Sequence, residues 1–256
     1  MAKIFITGSA DGLGLMAGRL LAEAGHEVIL HGRNRQRAKE ALQAIPKAVH
    51  VVYGDLSSIA ETRVVAEQVN ALGIVDVVIH NAAVGYREQE VVTTDGLSHV
   101  FAVNSLAPYI LTALITKPKR LIYISSGLHR SAELDLSDLA WRKRRWNGFQ
   151  AYADSKLYNV VLAFAIARLW PDVYCNALEP GWVATKMGGP GAPDSLEDAP
   201  KTQVWLASSN DAEARVSGKY FYHKKIREHN PVADNIDVQD EFMAYCASVS
   251  GTQMPV

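Results

Sequence analysis

The sequence predicts an α/β fold, a doubly wound parallel sheet of about seven strands with helices on both faces. Three observations point there. Short β-rich runs alternate with helical stretches along most of the 256 residues. The run Val75–His80 is almost wholly apolar, as a strand must be when helices cover both its faces. Hydrophobic residues make up 48% of the chain, enough to fill the core of one domain spanning 1–256 without dividing it.

The first strand is Lys3–Thr7, broken by Gly8, Gly12 and Gly14, and a Leu/Ala-rich helical pattern runs on to about Gly25. His26–Leu30 is the second strand, followed by helical composition from Arg35 to Ile45 and a stop at Pro46. Val49–Tyr53 is the third, after which Gly54-Asp55-Leu56-Ser57-Ser58 turns into a helix. Val75–His80, Leu121–Ser125, Asp172–Leu178 and Gly218–Tyr222 complete the set. Two stretches break the rhythm. Leu128–Gln150 is an insert containing DLAWRKRRWNG, and Lys186–Pro200 is too rich in Gly and Pro for regular structure. A loop beyond a strand's C-terminal end is a candidate lid; the alternative is a disordered surface connection.

Bulk properties exclude several roles. A formal net charge of −1 offers no general attraction to nucleic acid or an anionic membrane. Two cysteines make no disulfide framework, and their scarcity fits a reducing compartment. The N-terminus MAKIFITG lacks the pattern of a signal peptide, and no apolar segment reaches the roughly 20 residues of a spanning helix. A soluble, cytoplasmic protein is expected. No His/Cys/Asp/Glu cluster has metal-ligand spacing, so no metal is expected.

Function enters at the first turn. Thr7-Gly8-Ser9-Ala10-Asp11-Gly12-Leu13-Gly14 joins the first strand to the first helix, where glycines let backbone N–H groups approach a pyrophosphate at the helix N-terminus. A glycine trio alone also marks ordinary turns; its position in a β/α alternation makes it a Rossmann-type dinucleotide loop. At the end of the second strand an NAD site usually carries a carboxylate for the ribose hydroxyl. Here Gly32 is followed by Arg33, with Arg35 and Arg37 close behind. A guanidinium bonds a 2′-phosphate with two donors, so NADP(H) is favoured and NAD(H) stays open. The arginines can also be read as a solvated helix face. Asp55 can accept from an adenine amino group or cap the next helix.

Tyr152 and Lys156, in QAYADSKLYN, lie four apart and share one face of a helix. A phenol beside an ammonium suits acid/base chemistry, because the cation should lower a pKa that is normally near 10.

TGSADGLG, YADSK and PGWVAT together resemble the short-chain dehydrogenase/reductase family, from Lys3 to about Tyr222. SSGLH, an insert and AYADSKLYN most resemble its retinol-dehydrogenase-like branch. The resemblance implies catalytic roles for Asn104, Ser126, Tyr152 and Lys156. Tyr152 would be the general acid/base, Lys156 its support and a bond to the cofactor ribose. Ser126 would donate to the substrate oxygen, with Ser125 as support. Asn104 would hold a proton-relay water. It further implies cofactor contacts from Gly8, Ser9, Asp11, Gly12, Leu13, Gly14, Arg33, Asp55, Leu56, Asn81, Ala82, Ala83, Pro180, Gly181, Val183 and Thr185. His80 and Ala83 depart from the family's Asn-Asn-Ala-Gly, and Ala83 adds a methyl near the cofactor path. The implied activity is hydride transfer between a nicotinamide and a small or medium apolar carbonyl or secondary alcohol.

Other readings stay beside this one. A dinucleotide-binding sensor or scaffold would keep the fold without turnover. Trp141–Trp146, with Arg142–Arg145, mixes basic and aromatic residues and would give salt-sensitive RNA binding if it were a nucleic-acid surface. His129 can touch substrate or be incidental. Trp182, Met187 and Trp205 can wall a pocket or belong to the core. The helix beyond Lys156 is apolar around most of its circumference. A homodimer or homotetramer would cover its second face, unless the tail from His223 to Val256 does so.

Overall fold

The computed structural model describes residues 1–255. The strands are β1 (Lys3–Ile6), β2 (Glu27–Gly32), β3 (His50–Tyr53), β4 (Val77–His80), β5 (Arg120–Ile124), β6 (Tyr174–Leu178), β7 (Lys219–Tyr222) and β8 (Lys225–Ile226). They form one sheet in the order β3-β2-β1-β4-β5-β6-β7-β8, parallel throughout except for β8. The chain order reverses between β1 and β4, which opens the ligand crevice at the C-terminal ends of those two strands.

The sheet has eight strands, not seven. β8 returns against β7 through a tight hairpin in which His223 and Lys224 both have positive φ, 48° and 62°. Such turns favour Asn-Gly or Asp-Gly. Tyr-His-Lys-Lys carries neither, so no turn signal marks the hairpin.

Side chains alternate across the sheet. Ile4 and Ile6 point into the layer made by α1 (Gly12–Glu23), α2 (Arg35–Ala44) and α7 (Lys201–Ser208). Phe5, between them, points into the opposite layer. That second layer holds α3 (Ile59–Ala71), α4 (His99–Phe101), a π-helical turn at Ala102–Leu106, α5 (Ala107–Leu114), α6 (Gly148–Leu169) and α8 (Ile236–Ser250). Ile4, Phe5 and Ile6 are all fully buried, so the period of two in the strand fixes both layers at once. Trp205 of α7 belongs to the core, edge-on to Phe221 of β7 at 5.8 Å.

Asn147 caps α6, accepting from the Gln150 N–H at 3.1 Å. Every residue of this helix from Ala151 to Ile166 is buried within the single chain. Its outer side is covered by α8, where Phe242 packs on Tyr158 with ring centroids 5.5 Å apart. Arg168 holds Gln239 at 3.1 Å and pairs with Asp240. The expectation of a second copy rested on an open α6 face. That face is closed by the tail.

Candidate active site

The crevice begins at the glycine loop. Gly8 and Gly12 have φ of 61° and 54°, a region that penalises any Cβ. At Gly8 a Cβ would also sit 2.7 Å from the Ala82 Cα; at Gly14 it would collide with the Asn81 amide and the Gly8 carbonyl. Asn81 fastens this loop to the end of β4, donating to the carbonyls of Thr7 (3.0 Å) and Gly8 (3.2 Å). Thr7 returns the contact through its hydroxyl, which accepts from the N–H groups of Asn81 and Ala82. Leu13 and Gly14 lie in the first turn of α1, whose N–H groups have no acceptor within the helix. Free N–H groups at a helix start suit a bound anion.

Ser9 is a correction. Its N–H bonds the His31 carbonyl, its hydroxyl donates to the Ile6 carbonyl and accepts from the His31 N–H, and it is fully buried. It braces the loop and has nothing left for a ligand. His31, which sequence reasoning passed over, is the hub. Its Nδ1 accepts from the Gly8 N–H at 3.0 Å, so its Nε2 carries the proton given to the Gly54 carbonyl at 3.0 Å. Burial pushes its pKa down to about 4 and keeps the ring neutral.

At the end of β2, Arg33 is exposed and has no ion-pair or hydrogen-bond partner among the described residues. Arg35 bonds the Tyr53 hydroxyl at 2.8 Å, and Arg37 reaches Asp11 and Glu40. Asp55 does not cap α3. Ser58 does, while the Asp55 carboxylate accepts from the Ser57 N–H at 2.9 Å. The Leu56 side chain is core, which leaves only its backbone toward the crevice.

The catalytic candidates converge across β5, α6 and the π turn. Ser125 is buried and donates to the Lys156 carbonyl at 2.8 Å, a brace. Ser126, half-buried, caps the following 3₁₀ turn and faces the Tyr152 hydroxyl. Its backbone carbonyl is held at 2.7 Å by His129, a fully buried ring tilted against Tyr220. His129 is therefore a brace for Ser126 and is shielded from substrate. Lys156 is 2% exposed, with its ammonium 3.0 Å from the Ile124 carbonyl and 5.5 Å from the Tyr152 ring centre.

The expected lowering of the phenol by its cation does not appear in the polypeptide alone. Burial pushes Tyr152 up to about 12, against the pull of Ser126 and with a further push from Tyr86. Burial also lowers Lys156 to about 7, which weakens it as a fixed positive charge. The phenol is accordingly protonated at neutral pH.

Asn104 lies in the π turn, and its amide is fully engaged. Nδ2 donates to the Val84 carbonyl and the Ser155 hydroxyl, both at 3.0 Å, and Oδ1 accepts from the Val84 N–H at 2.8 Å. The side chain ties the segment after β4 to the Tyr152 helix and is not free to hold a water. Its backbone carbonyl is different: Pro108, four residues on, has no N–H to give it.

The segment Lys186–Pro200 docks over the crevice. Lys186 pairs with Asp11 of the glycine loop, and this contact, foremost, holds the Asp11 carboxyl below its usual range. Asp194 accepts from the Trp182 N–H at 2.6 Å and bridges to Val183. Gly181 has φ 90°, and Asp194 occupies the space that a Cβ there would need. The Thr185 hydroxyl accepts from the Gly188 N–H at 3.1 Å, which leaves its own proton to donate. Pro180 and Ala83 flank the same opening, both half-buried.

Arg144 of the basic insert turns inward, while Arg142, Lys143 and Arg145 stay exposed. Asp138 and Asp154 are 3% and 0% exposed, and the Arg144 guanidinium lies 3.3 Å and 3.4 Å from them, over the Trp141 ring at 3.9 Å. Asp138 also accepts from the N–H groups of Arg142, Lys143 and Arg144. Arg144 thus ties the insert to Asp138 and to Asp154, the middle residue of the Tyr-Ala-Asp-Ser-Lys turn.

The cradle suits a dinucleotide, since Cβ atoms are barred at Gly8 and Gly14 and the α1 N-terminus offers its free N–H groups beside them. Comparison with known proteins agrees. A family model described as short chain dehydrogenase matches residues 2–132. An uncharacterized oxidoreductase of Emericella nidulans is 43% identical over 260 residues, covering 100% of this chain and 99% of that protein. Human retinol dehydrogenase 13 is 30% identical over 98% of this chain and 85% of its own length. An uncharacterized protein from Mycobacterium paratuberculosis superposes with a TM-score of 0.86 at 22% identity, covering 100% of this chain and 96% of that one. A blue fluorescent protein from a metagenomic library, solved in complex with NADPH, gives a TM-score of 0.70 at 21% identity over 86% and 95% of the two chains.

Proposed function

Because the chain belongs to the short-chain dehydrogenase/reductase family of oxidoreductases, we propose that it interconverts a carbonyl compound and an alcohol with NADP(H), Tyr152 acting as general acid/base. The observation that carries this reading is the meeting of Tyr152 and Ser126 above a buried Lys156, beside a loop shaped for a pyrophosphate. With its pyrophosphate in that loop, the dinucleotide would supply or take up the hydride at its nicotinamide.

Leu13 and Gly14 N–H groups would bind the pyrophosphate, the Thr185 hydroxyl would donate to the carboxamide, and Lys156 would hold the ribose. NADP(H) is favoured by Arg33, which has room and charge for a 2′-phosphate, and by the fold neighbour solved with NADPH. Ser126 would donate to the carbonyl oxygen where negative charge develops. Tyr152 would transfer its proton to that oxygen, and its protonated state at neutral pH suits the reductive direction. The Asn104 carbonyl, rather than its amide, would hold the water that returns a proton toward Lys156.

Tyr152→Phe tests this. The phenylalanine keeps the ring packing, so NADPH binding by fluorescence titration should persist while ketone reduction falls at least about a hundredfold. Near-normal turnover in that variant would end the proposal.

A further inference from the structure

One wall of the site is not used by the proposed chemistry. Outward from the Tyr152 phenol, Tyr86 stands edge-on at a centroid distance of 6.0 Å, and Phe149 stands edge-on to Tyr86 at 6.2 Å. Phe149 is 48% exposed although it sits in the first turn of α6, three residues before Tyr152. Trp182, at the base of the docked segment, is 56% exposed. A single exposed ring is ordinary on a protein surface. Here two rings, Tyr86 and Phe149, run in series from Tyr152 to solvent.

Their placement is enforced. The Trp146 indole donates to the Glu88 carbonyl at 3.2 Å, and Gly148 lies so close to the Tyr86 and Glu88 carbonyls that a Cβ would not fit. The Tyr86 segment and the Phe149 turn are thus locked together. From the other side, Arg87 lies over the Tyr86 ring at 5.4 Å, and Met187 packs against Gly85. Perpendicular rings offer a flat partner both an edge and a face, the two contacts aromatic pairs prefer.

We propose that the carbonyl compound is an aryl ketone, its ring against Phe149 and Tyr86 and its oxygen toward Tyr152 and Ser126. This assignment rests on the carbonyl-reduction reading above and narrows it to a substrate class.

The test compares 2-acetylnaphthalene with cyclohexyl methyl ketone, NADPH as reductant, in the wild type, Tyr86→Leu and Phe149→Leu. Leucine keeps apolar volume and removes the π face. Aromatic contacts are worth about 0.5–1.5 kcal/mol each, or roughly two- to tenfold in kcat/KM. The wild type should prefer the naphthyl ketone at least about tenfold, and each leucine variant should cut that ratio about threefold or more. Calorimetric titration of the naphthyl ketone into Tyr152→Phe loaded with NADPH should show tighter binding than the cyclohexyl compound, without turnover. Equal kcat/KM for the two ketones, or leucine variants that lower both alike, would overturn the assignment while leaving carbonyl reduction intact. Tight naphthyl binding with no reduction of either ketone by the wild type would instead remove the reductase reading and keep the aromatic wall.

Discussion

Arg33 leaves β2 with its guanidinium in solvent, while Arg35 and Arg37 are engaged by Tyr53, Asp11 and Glu40. Of the three it is the one able to meet a 2′-phosphate without breaking an existing contact. Arg33→Asp should therefore shift the ratio of kcat/KM for NADPH over NADH toward NADH by at least about tenfold, the scale of one charge-assisted hydrogen bond. An unchanged ratio would remove Arg33 from the cofactor assignment. At this scale the sequence was legible wherever a residue's chemistry is local. The tight turn made by the glycines, and the shared helix face of Tyr152 and Lys156, are local features that spacing reveals. His31 did not, because its partners, the Gly8 N–H and the Gly54 carbonyl, come together only once β1, β2 and β3 are side by side. Ser9 misled for the same reason: its hydroxyl meets His31 across the strands.

The insert before α6 shows how an element can hide its role. Its run of arginines and lysine reads as a basic surface, but Asp138 and Asp154 draw Arg144 inward beneath Trp141. Asp154 is the middle residue of the Tyr-Ala-Asp-Ser-Lys turn, so the insert reaches the helix of Tyr152 through the Arg144 ion pair and the Trp141 indole, which donates to Asp154 at 3.2 Å. Removing one partner of a buried pair strands the other. Arg144→Met should cost about 3–5 kcal/mol, and Arg144→Met with Asp154→Asn should cost less than the two single changes added together. Urea midpoints of the four proteins measure this, and strict additivity would argue against the coupling. The same lesson holds at β8. A two-residue strand behind a turn without Asn or Gly is too short for a periodic pattern, and it is found only because β7 has a free edge to pair.

Across the whole molecule, three histidines are buried in the neutral form. Burial lowers His31 and His129 to about 4 and His80 to about 3. The unfolded chain binds these protons near 6.5, so between about pH 6.5 and 4 it holds more protons than the folded one. Stability therefore rises with pH through this window and is lost as pH falls, by up to about 1.4 kcal/mol per histidine for each pH unit. Thermal melts between pH 7.5 and 4.5 should show Tm dropping steeply below about 6.5. A flat profile from pH 7 to 5 would show that these rings do not control acid stability. The β/α alternation made the overall architecture readable, because buried parallel strands leave continuous apolar runs. The fate of the tail was not readable, because the surface of α8 that meets α6 becomes meaningful only when both helices lie on one side of the sheet.

The seating of α8 on α6 also bears on how the protein behaves when scarce. The brace behind Tyr152 and Lys156 is supplied in cis, by Phe242 and the Arg168 contacts, and arrives with every newly made polypeptide. The share of the helix's support that comes from α8 therefore does not decline as copies become few.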